Sequence, residues 1–569
     1  MPKDEIIQSL KAALKELGIE GFEPVLERPK DSSHGDFSSS VAMKVSSSKY
    51  KVLGIRNPLE LAEKIVLILN TKYLIRNTDF DKVEIAAPGF INFYLSNEYL
   101  QKQVQNIIKQ GDSYGSPSEK SLPAGRQASV EFISANPTGP LHIGNAVGGP
   151  LGDSIANVLS KAGYSVKREY LHNDVGGQVL KLGEAIYFEL NPGEKSEDEE
   201  AQYQGDYIKE LAQKVSKSIK ISQLSREEFI RKAGEIAVEI LLEEILKDCK
   251  DMGIKFDIVR KESDLRGEVP DVLSKLQKFL KEKDGARWFA PNDEFLKDRE
   301  TVLVKSDGDY TYFASDIAYH NEKMRKNDLV IDILGSNHSG HVPRLQAVVK
   351  ALGFDVNNFK VILYQYVRLK RGSEVVKMSK RAGSFVTARE VLDEVGKDAF
   401  RFFLLRSAPE THMDFDLELA KKQASDNPVF YVQYAYTRIS SIFAKFKISP
   451  ASTSEAGRAN LKFKIGRADV SLLTQVEEIA LIRHLIRLPE LIEEISHTFA
   501  VHAFTNYAME LATLFHKFYE AHRVISASNA ASQKISPKLS QARLALLEAT
   551  RVTLKNTLDL LGVSTPRHM

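Results

Sequence analysis

The chain has 569 residues, 43% of them hydrophobic and 27% charged, which excludes a largely disordered polypeptide and is too long for one ordinary domain. A single cysteine, Cys249, excludes a disulfide framework and a cysteine-rich zinc site, and it fits a reducing, cytoplasmic setting. The net charge of +2 names no partner, but from Phe430 onward Lys and Arg exceed Asp and Glu, which suits an RNA contact.

The N-terminal MPKDEIIQSLKAALKELG sets charges among its apolar positions, so it reads as an amphipathic helix over roughly 3–17 and not as a signal peptide. No apolar run approaches the ~20 residues of a membrane helix. A second helix over Asn57–Leu69 and the strand-like KVEIAAPGFINFYL, turning at Pro88-Gly89, make residues 1–110 a small α/β domain. The polar stretch 111–127 reads as a linker. From Ala128 strands and helices alternate: ASVEFIS, then a helix over Asn145–Lys161 closed by Gly163, then YSVKREYL. That is a βαβ unit, the seed of a parallel sheet. Charged amphipathic helices between about 191 and 287 look like an insertion. Strands resume with ETVLVKSDGDYTYFAS, DLVIDILG and NFKVILYQYV, with the helix HVPRLQAVVKALG between the last two. After about Arg406 the pattern is helical throughout. The expected architecture is therefore multidomain. A Rossmann-type α/β domain (128–405) carries a helical insertion, and an all-α helical bundle (406–569) follows it.

The stretch EFISANPTGPLHIGNAVGGPLGD leads a strand through a Pro/Gly turn into a helix start, where free N–H groups and the helix dipole attract anions. The lysine of a Walker loop is missing, and so is a dinucleotide GxGxxG. His142 stands at the helix start, where a lone histidine more often caps or packs. A second stretch, RGSEVVKMSKRAGSFVTARE, brackets Met378-Ser379 with Lys377 and Lys380 and has glycines on either side. Such a hairpin is usually a solvated loop, but movable cations beyond a nucleotide sheet are what a leaving pyrophosphate needs.

Taken in order, the two stretches resemble the HIGH and KMSKS motifs of class I aminoacyl-tRNA synthetases. SANPTGPLHIG, REYLHNDVGGQV, YFASDIAYH, KMSKRAGSFVT and NPVFYVQYAYTRI resemble the blocks of the arginyl-tRNA synthetases over nearly the whole chain. Two positions depart from the motifs: Asn145 replaces the last His of HIGH, and Arg381 replaces the last Ser of KMSKS.

The resemblance implies activation of L-arginine with ATP and transfer to the 3' end of tRNA(Arg), with Mg2+ travelling with ATP and no dedicated metal site. It implies an N-terminal domain at the tRNA elbow, a C-terminal bundle at the anticodon, and a monomer. His142, Asn145, Lys377 and Lys380 would be catalytic. ATP would also meet Thr138, Gly139, Gly144, His338, Met378 and Ser379. Arginine would meet Glu131, Asn136, Tyr312, Asp316 and Asn337, with Asp316 and Glu131 forked around its guanidinium. Phe90 and Asn92 would touch the tRNA. Tyr507, Phe515, Phe518 and Tyr519 share a stripe expected to be mostly bundle core, with some aromatic facing the anticodon. A cysteinyl-tRNA synthetase is disfavoured by the single cysteine, and a pantetheine-type nucleotidyltransferase by the length. A catalytically inactive, RNA-binding relative is disfavoured because the motif lysines, His142 and the pocket carboxylates are all present.

Overall fold

The structure is a computed structural model that describes residues 2–29, 31–45, 54–73, 79–117, 125–194, 203–219, 224–297, 299–376, 386–446, 467–525 and 535–569. Helix α1 (Pro2–Glu16) buries the stripe Ile6, Leu10, Ala13 and Leu14, whose three- and four-residue spacing keeps one face apolar. Strands β1 (Leu26–Glu27) and β2 (Phe37–Ser39) follow, then helix α2 (Pro58–Ile68). Asn57 starts α2 by accepting from the backbone N–H of Glu60 at 3.0 Å, and Pro58 occupies the first turn, where its missing N–H costs nothing. Strands β3 (Phe80–Ala86) and β4 (Phe90–Leu95) complete an antiparallel sheet of order β1-β2-β4-β3. Helix α3 (Asn97–Gln110) then runs to the far end of the chain, its Gln101 amide donating to the Leu473 carbonyl at 2.9 Å.

The second unit begins at β5 (Gln127–Glu131) and continues through α4 (Ile143–Ala146), α5 (Gly148–Lys161) and β6 (Ser165–His172). Helices α6 (Gly177–Leu190), α7 (Asp206–Ser218) and α8 (Arg226–Asp251) pack on one another around Leu182, Leu211 and Phe229. Next come β7 (Ile258–Lys261) and an antiparallel sheet of β8 (Leu280–Lys283), β9 (Ala286–Phe289) and β10 (Thr301–Val304). Helix α9 (Tyr312–Lys326), β11 (Leu329–Gly335), α10 (Val342–Ala351) and β12 (Phe359–Tyr364) close the unit. The main sheet is parallel, five-stranded, and ordered β12-β11-β5-β6-β7. Helix α5 lies so close to the end of β5 that a Cβ on Gly152 would sit 2.2 Å from the Phe132 ring, so only glycine fits.

The expected insertion over 191–287 needs correction. Its long helices end at Asp251, Ile258–Lys261 returns to the main sheet as an edge strand, and only short helices (Glu262–Leu265 and Val269–Lys275) follow. Four residues with two basic ones carry no apolar run; the hydrogen-bond ladder to β6 makes the strand, not intrinsic propensity.

Strands β13 (Val367–Arg371) and β14 (Glu374–Val375) form a hairpin, followed by helices α11 (Ala388–Val395) and α12 (Lys397–Leu404). The expectation that strands stop at Arg406 is also corrected. Strand β15 (Met413–Asp416) pairs in parallel with β13, because Phe415 is buried against Phe400 and Phe403 and draws the segment inward. Five helices make the C-terminal part of the described residues: α13 (Pro428–Phe446), α14 (Val476–Leu485), α15 (Leu488–Thr498), α16 (His502–Ala521) and α17 (Pro537–Leu561). Tyr507, Phe515 and Phe518 are buried in their core, while Tyr519 is half-buried.

One buried side chain joins the parallel-sheet unit to this bundle. Arg401, with none of its surface exposed, donates to Asp153 at 2.6 Å, to the Leu561 carbonyl at 2.8 Å and to the Met252 carbonyl at 3.1 Å. A guanidinium with three partners is a charge the interior tolerates, and it fixes α5, α8 and α17 together. Among the described residues no helix is long and apolar enough to cross a membrane.

Candidate active site

At the carboxyl edge of β5 the chain turns through residues 132–141 into α4. His142 caps that helix: its Nδ1 accepts from the Gly144 N–H at 2.8 Å, so the ring proton lies on Nε2. Asn145 is exposed one residue further on, and Gly144 is half-buried. Thr138 and Gly139 form the turn itself, closed from the insertion by the Tyr207 hydroxyl, which donates to the Thr138 carbonyl at 3.2 Å. Lys377, Met378, Ser379 and Lys380 lie outside the described residues. The chain that follows them is stitched to the His142 turn: the Ile143 N–H donates to the Val386 carbonyl at 3.2 Å and the Ala388 N–H to the Leu141 carbonyl at 2.7 Å.

Beside this turn a cavity of ≈ 300 Å³ is lined by Glu131, Asn136, Tyr312, Asp316 and His338 among others. Asn337 lies outside the lining and is exposed in the short turn Ser336–His338. Tyr312 starts α9 and is 51% exposed, its hydroxyl close to Gly176. Asp316 follows one turn later on the same face. Asn136 donates to Gln178 at 3.1 Å and accepts from the Asn173 N–H at 3.2 Å.

Strand register explains the electrostatics. Asp332 on β11 lies beside Glu131 on β5, and Glu131 beside Glu169 on β6, so three buried carboxylates form a row across the sheet. Helix α9 covers them with a cationic face. Lys323 Nζ bridges Glu131 at 2.7 Å and Asp332 at 2.6 Å, and the Tyr319 hydroxyl donates to Glu169. His320 Nε2 meets Asp332 at 2.7 Å, while its Nδ1 lies 2.7 Å from the Asp316 carbonyl and 3.1 Å from its carboxylate. The other Asp316 oxygen meets His341 Nε2 at 2.6 Å. Burial opposes the charge on Asp316, but His320 and then His341 outweigh it and hold the carboxyl well below the usual range. Burial and Lys323 both oppose a charge on His320, yet Asp316 and Asp332 push it up to about 10. For Glu131 burial wins over Lys323, and its carboxyl is raised. Both Glu131 oxygens are already engaged, one by Lys323 and the other by the Ser134 hydroxyl at 2.9 Å.

Sequence reasoning missed Glu262. It follows β7 directly, is buried, and lines the same cavity as Asp316; burial raises its carboxyl to about 7, with Arg266 opposing. An acid just past a strand end at the ligand edge of a parallel sheet would be the signal, but β7 itself is not legible in the sequence. His172, at the end of β6, also lines the cavity, and burial lowers its pKa.

Of the expected RNA contacts, Phe90 is 36% exposed at the tip of the β3–β4 turn, whereas Asn92 is buried and accepts from the Ser38 hydroxyl at 2.7 Å. On the C-terminal bundle, Phe430 and Tyr434 stack at 6.1 Å and 7°, Tyr434 is 40% exposed, and Arg438 lies over the Tyr519 ring at 4.4 Å. Among the described residues no group of three or more His, Cys, Asp or Glu could hold a metal ion.

A parallel sheet whose carboxyl edge carries an HIGH-type helix start, with a KMSK segment later in the chain, is the catalytic architecture of the class I aminoacyl-tRNA synthetases. Family comparison matches residues 4–95 to the arginyl tRNA synthetase N terminal domain, 103–415 to the class I (R) tRNA synthetase catalytic domain, and 432–569 to the DALR anticodon binding domain. The chain belongs to the arginyl-tRNA synthetase family. It is 37% identical to an arginine–tRNA ligase of Bacillus licheniformis, over 100% of this chain and 99% of that one. It is 40% identical to one of Citrifermentans bemidjiense, over 96% and 94%. The structure of Thermus thermophilus arginyl-tRNA synthetase superposes with a TM-score of 0.75 over 100% of both chains at 21% identity, a likeness of fold.

Proposed function

We propose that the chain is an arginine–tRNA ligase that joins L-arginine to ATP as arginyl-adenylate, releasing pyrophosphate, and then transfers the arginyl group to the 3' end of tRNA(Arg), releasing AMP. The observation that carries the amino-acid assignment is a pair of carboxylates, half-buried Asp316 and buried Glu262, in one cavity beside the His142 turn. A guanidinium offers five N–H donors in a planar fork, which two carboxylates can accept bidentately. Glu131 and Asn136, on the segment leading to the turn, would hold the ammonium end, so that the substrate carboxylate points at the nucleotide.

ATP would lie over the helix start, meeting His142 Nε2–H, the Asn145 amide, the backbone N–H groups near Gly144, and His338. An oxygen of the arginine carboxylate attacks the α-phosphorus as the bond to pyrophosphate breaks; positioning and charge stabilisation supply the catalysis. The 3'-terminal ribose hydroxyl of the tRNA then attacks the adenylate carbonyl and AMP leaves. Mg2+ would enter with ATP as a phosphate counter-ion, held by water and phosphate oxygens in the usual manner of such sites. We divide the chain into domains at about residues 110, 127 and 405, and read it as a cytoplasmic monomer.

ATP–pyrophosphate exchange with each amino acid, with and without tRNA, tests this reading: exchange dependent on arginine supports it. Binding of tRNA(Arg) without exchange or aminoacylation would make the chain a catalytically inactive relative. Lys380→Ala is expected to lower kcat with little change in arginine KM, by roughly 2–4 kcal/mol, because a cation aimed at the leaving group acts only as charge develops there. Full activity in that variant would reduce the segment to a surface hairpin.

The aromatic platform around Tyr434 and Arg438 is the proposed RNA surface of the bundle, since a stacked, cation-flanked ring accepts an unpaired base. Tyr434→Ala is expected to weaken tRNA binding by about 1–3 kcal/mol. Arg438→Ala should reduce the slope of log Kd against log salt by about one if it contacts a phosphate. Fluorescence titration over a salt series checks both, and unchanged affinities would move the contact elsewhere.

A further inference from the structure

We propose that His320 is a positioning residue for amino-acid selection: clamped between Asp316 and Asp332, it aims the Asp316 carboxylate into the cavity and, through Asp332 and Lys323, ties it to Glu131. One buried chain of ion pairs then sets both ends of the substrate site. The inference rests on reading the cavity as the arginine site.

The geometry fixes the protonation of the ring without reference to titration. His320 Nδ1 lies 2.7 Å from the backbone carbonyl of Asp316, which can only accept, so Nδ1 carries a proton. Its Nε2 faces an Asp332 oxygen at 2.7 Å, and the other Asp332 oxygen takes Lys323 Nζ at 2.6 Å. An ammonium on that carboxylate keeps it ionised, so Nε2 must donate as well. The imidazole is therefore a cation with a donor at each end, and it is buried, with 2% of its surface exposed. Burying such a charge is costly unless carboxylates flank it, and here they do on both sides.

Three carboxylates side by side on neighbouring strands repel one another, which requires cations on the covering helix. Helix α9 supplies two, His320 and Lys323, which share one face with Asp316 at spacings of four and three. On Asp316, His320 approaches one oxygen and His341 the other, which leaves the remaining lone-pair directions for a ligand. Apart from a flip that exchanges its equivalent oxygens, turning that carboxylate breaks at least one of the two contacts. Phe359, edge-on to the His320 ring at 5.4 Å, closes the side away from the cavity.

The test is His320→Gln in ATP–pyrophosphate exchange, with Asp332→Asn as a second variant of preserved shape. The expected result is an arginine KM raised about tenfold or more with the ATP KM little changed, and an arginine-over-citrulline preference narrowed by a similar factor. A purely structural role would lower stability without changing that preference. Nitrogen-15 spectra of the wild-type protein give a reading that needs no variant to fold: an imidazolium signal persisting at about pH 8.5 is expected. A folded His320→Gln with the wild-type preference, or a neutral His320 at that pH, overturns the proposal. If the wild type itself fails to activate arginine, the function reading falls, and the spectra still decide whether the clamp exists.

Discussion

Asp316→Asn is expected to lower kcat/KM for arginine by about 3–5 kcal/mol, almost all of it in KM, while ATP affinity changes little. The wild-type carboxylate is held ionised by His320 on one oxygen and His341 on the other, and it faces the cavity shared with Glu262. An amide of the same shape offers one acceptor in place of two and cannot balance the His320 cation. Both the substrate guanidinium and an internal imidazolium lose their counter-charge, so the effect exceeds that of one neutral hydrogen bond. Selectivity changes for the same reason. Citrulline has the outline of arginine with no charge, and a site built on matched polar groups rejects such an isostere because its buried carboxylate is left unpaired. With asparagine that penalty disappears and the arginine-over-citrulline ratio narrows. The variant is also expected to be less stable at neutral pH. A carboxyl whose folded pKa is depressed contributes stability above its unfolded pKa and loses it as pH falls through the folded value, and asparagine removes that contribution. Measuring kcat/KM for arginine, lysine and citrulline in both proteins decides the matter; an unchanged ratio returns Asp316 to the role of a helix-start acid.

The local patterns were legible because local chemistry makes them. A stripe of apolar residues gave α1, and a Gly/Pro turn after an apolar strand gave the His142 helix start; the strand-like reading of ETVLVKSDGDYTYFAS ran too far, since its last residues begin α9. The resemblance then carried Glu131, Asn136, Tyr312 and Asp316 to positions that line one cavity. Features made by register between distant segments stayed hidden. Asp332 reads as a stray polar residue within DLVIDILG; its meaning comes from lying beside Glu131 on the next strand and beneath Lys323 and His320. Strand β7 could not be read from four residues with two charges, and without β7 nothing marked Glu262 as lying at the sheet's edge. The expected fork of Asp316 and Glu131 could not take this neighbour into account: Glu131 meets Lys323 and Ser134, while Glu262, just past β7, lines the cavity together with Asp316. Burial was the other hidden quantity. Phe90 and Asn92 lie on the same face of one strand, but Phe90 begins it at the turn tip and is exposed, whereas Asn92 lies opposite Ser38 on the neighbouring strand and pairs with it.

Glu262→Gln is expected to change function and stability in opposite directions. Its carboxyl is raised by burial from 4.5 to about 7, with Arg266 only partly offsetting the loss of water. A group whose folded pKa exceeds its unfolded one contributes stability that is full below the unfolded value and is lost as pH rises through the folded one. Above about pH 7 the ionised side chain therefore costs roughly 3 kcal/mol of folding stability, at ~1.4 kcal/mol per pKa unit. Glutamine mimics the neutral form, so the variant should be more stable than wild type at about pH 8, by an upper bound of that size, and indistinguishable from it only at about pH 4, below the unfolded pKa. Binding runs the other way. A guanidinium needs the carboxylate, so the wild-type arginine KM should rise by up to tenfold per pH unit below about 7 and level off above it. The variant should lose that dependence and about 3–5 kcal/mol of kcat/KM for arginine, since one member of a buried charge pair is gone. Strain kept in the empty site and released by the ligand is a common reason for a stabilising substitution to abolish activity. Thermal denaturation at the two pH values, together with arginine KM across the range, reads both halves. A variant less stable than wild type at about pH 8, or a wild-type KM independent of pH, would remove Glu262 from the guanidinium site.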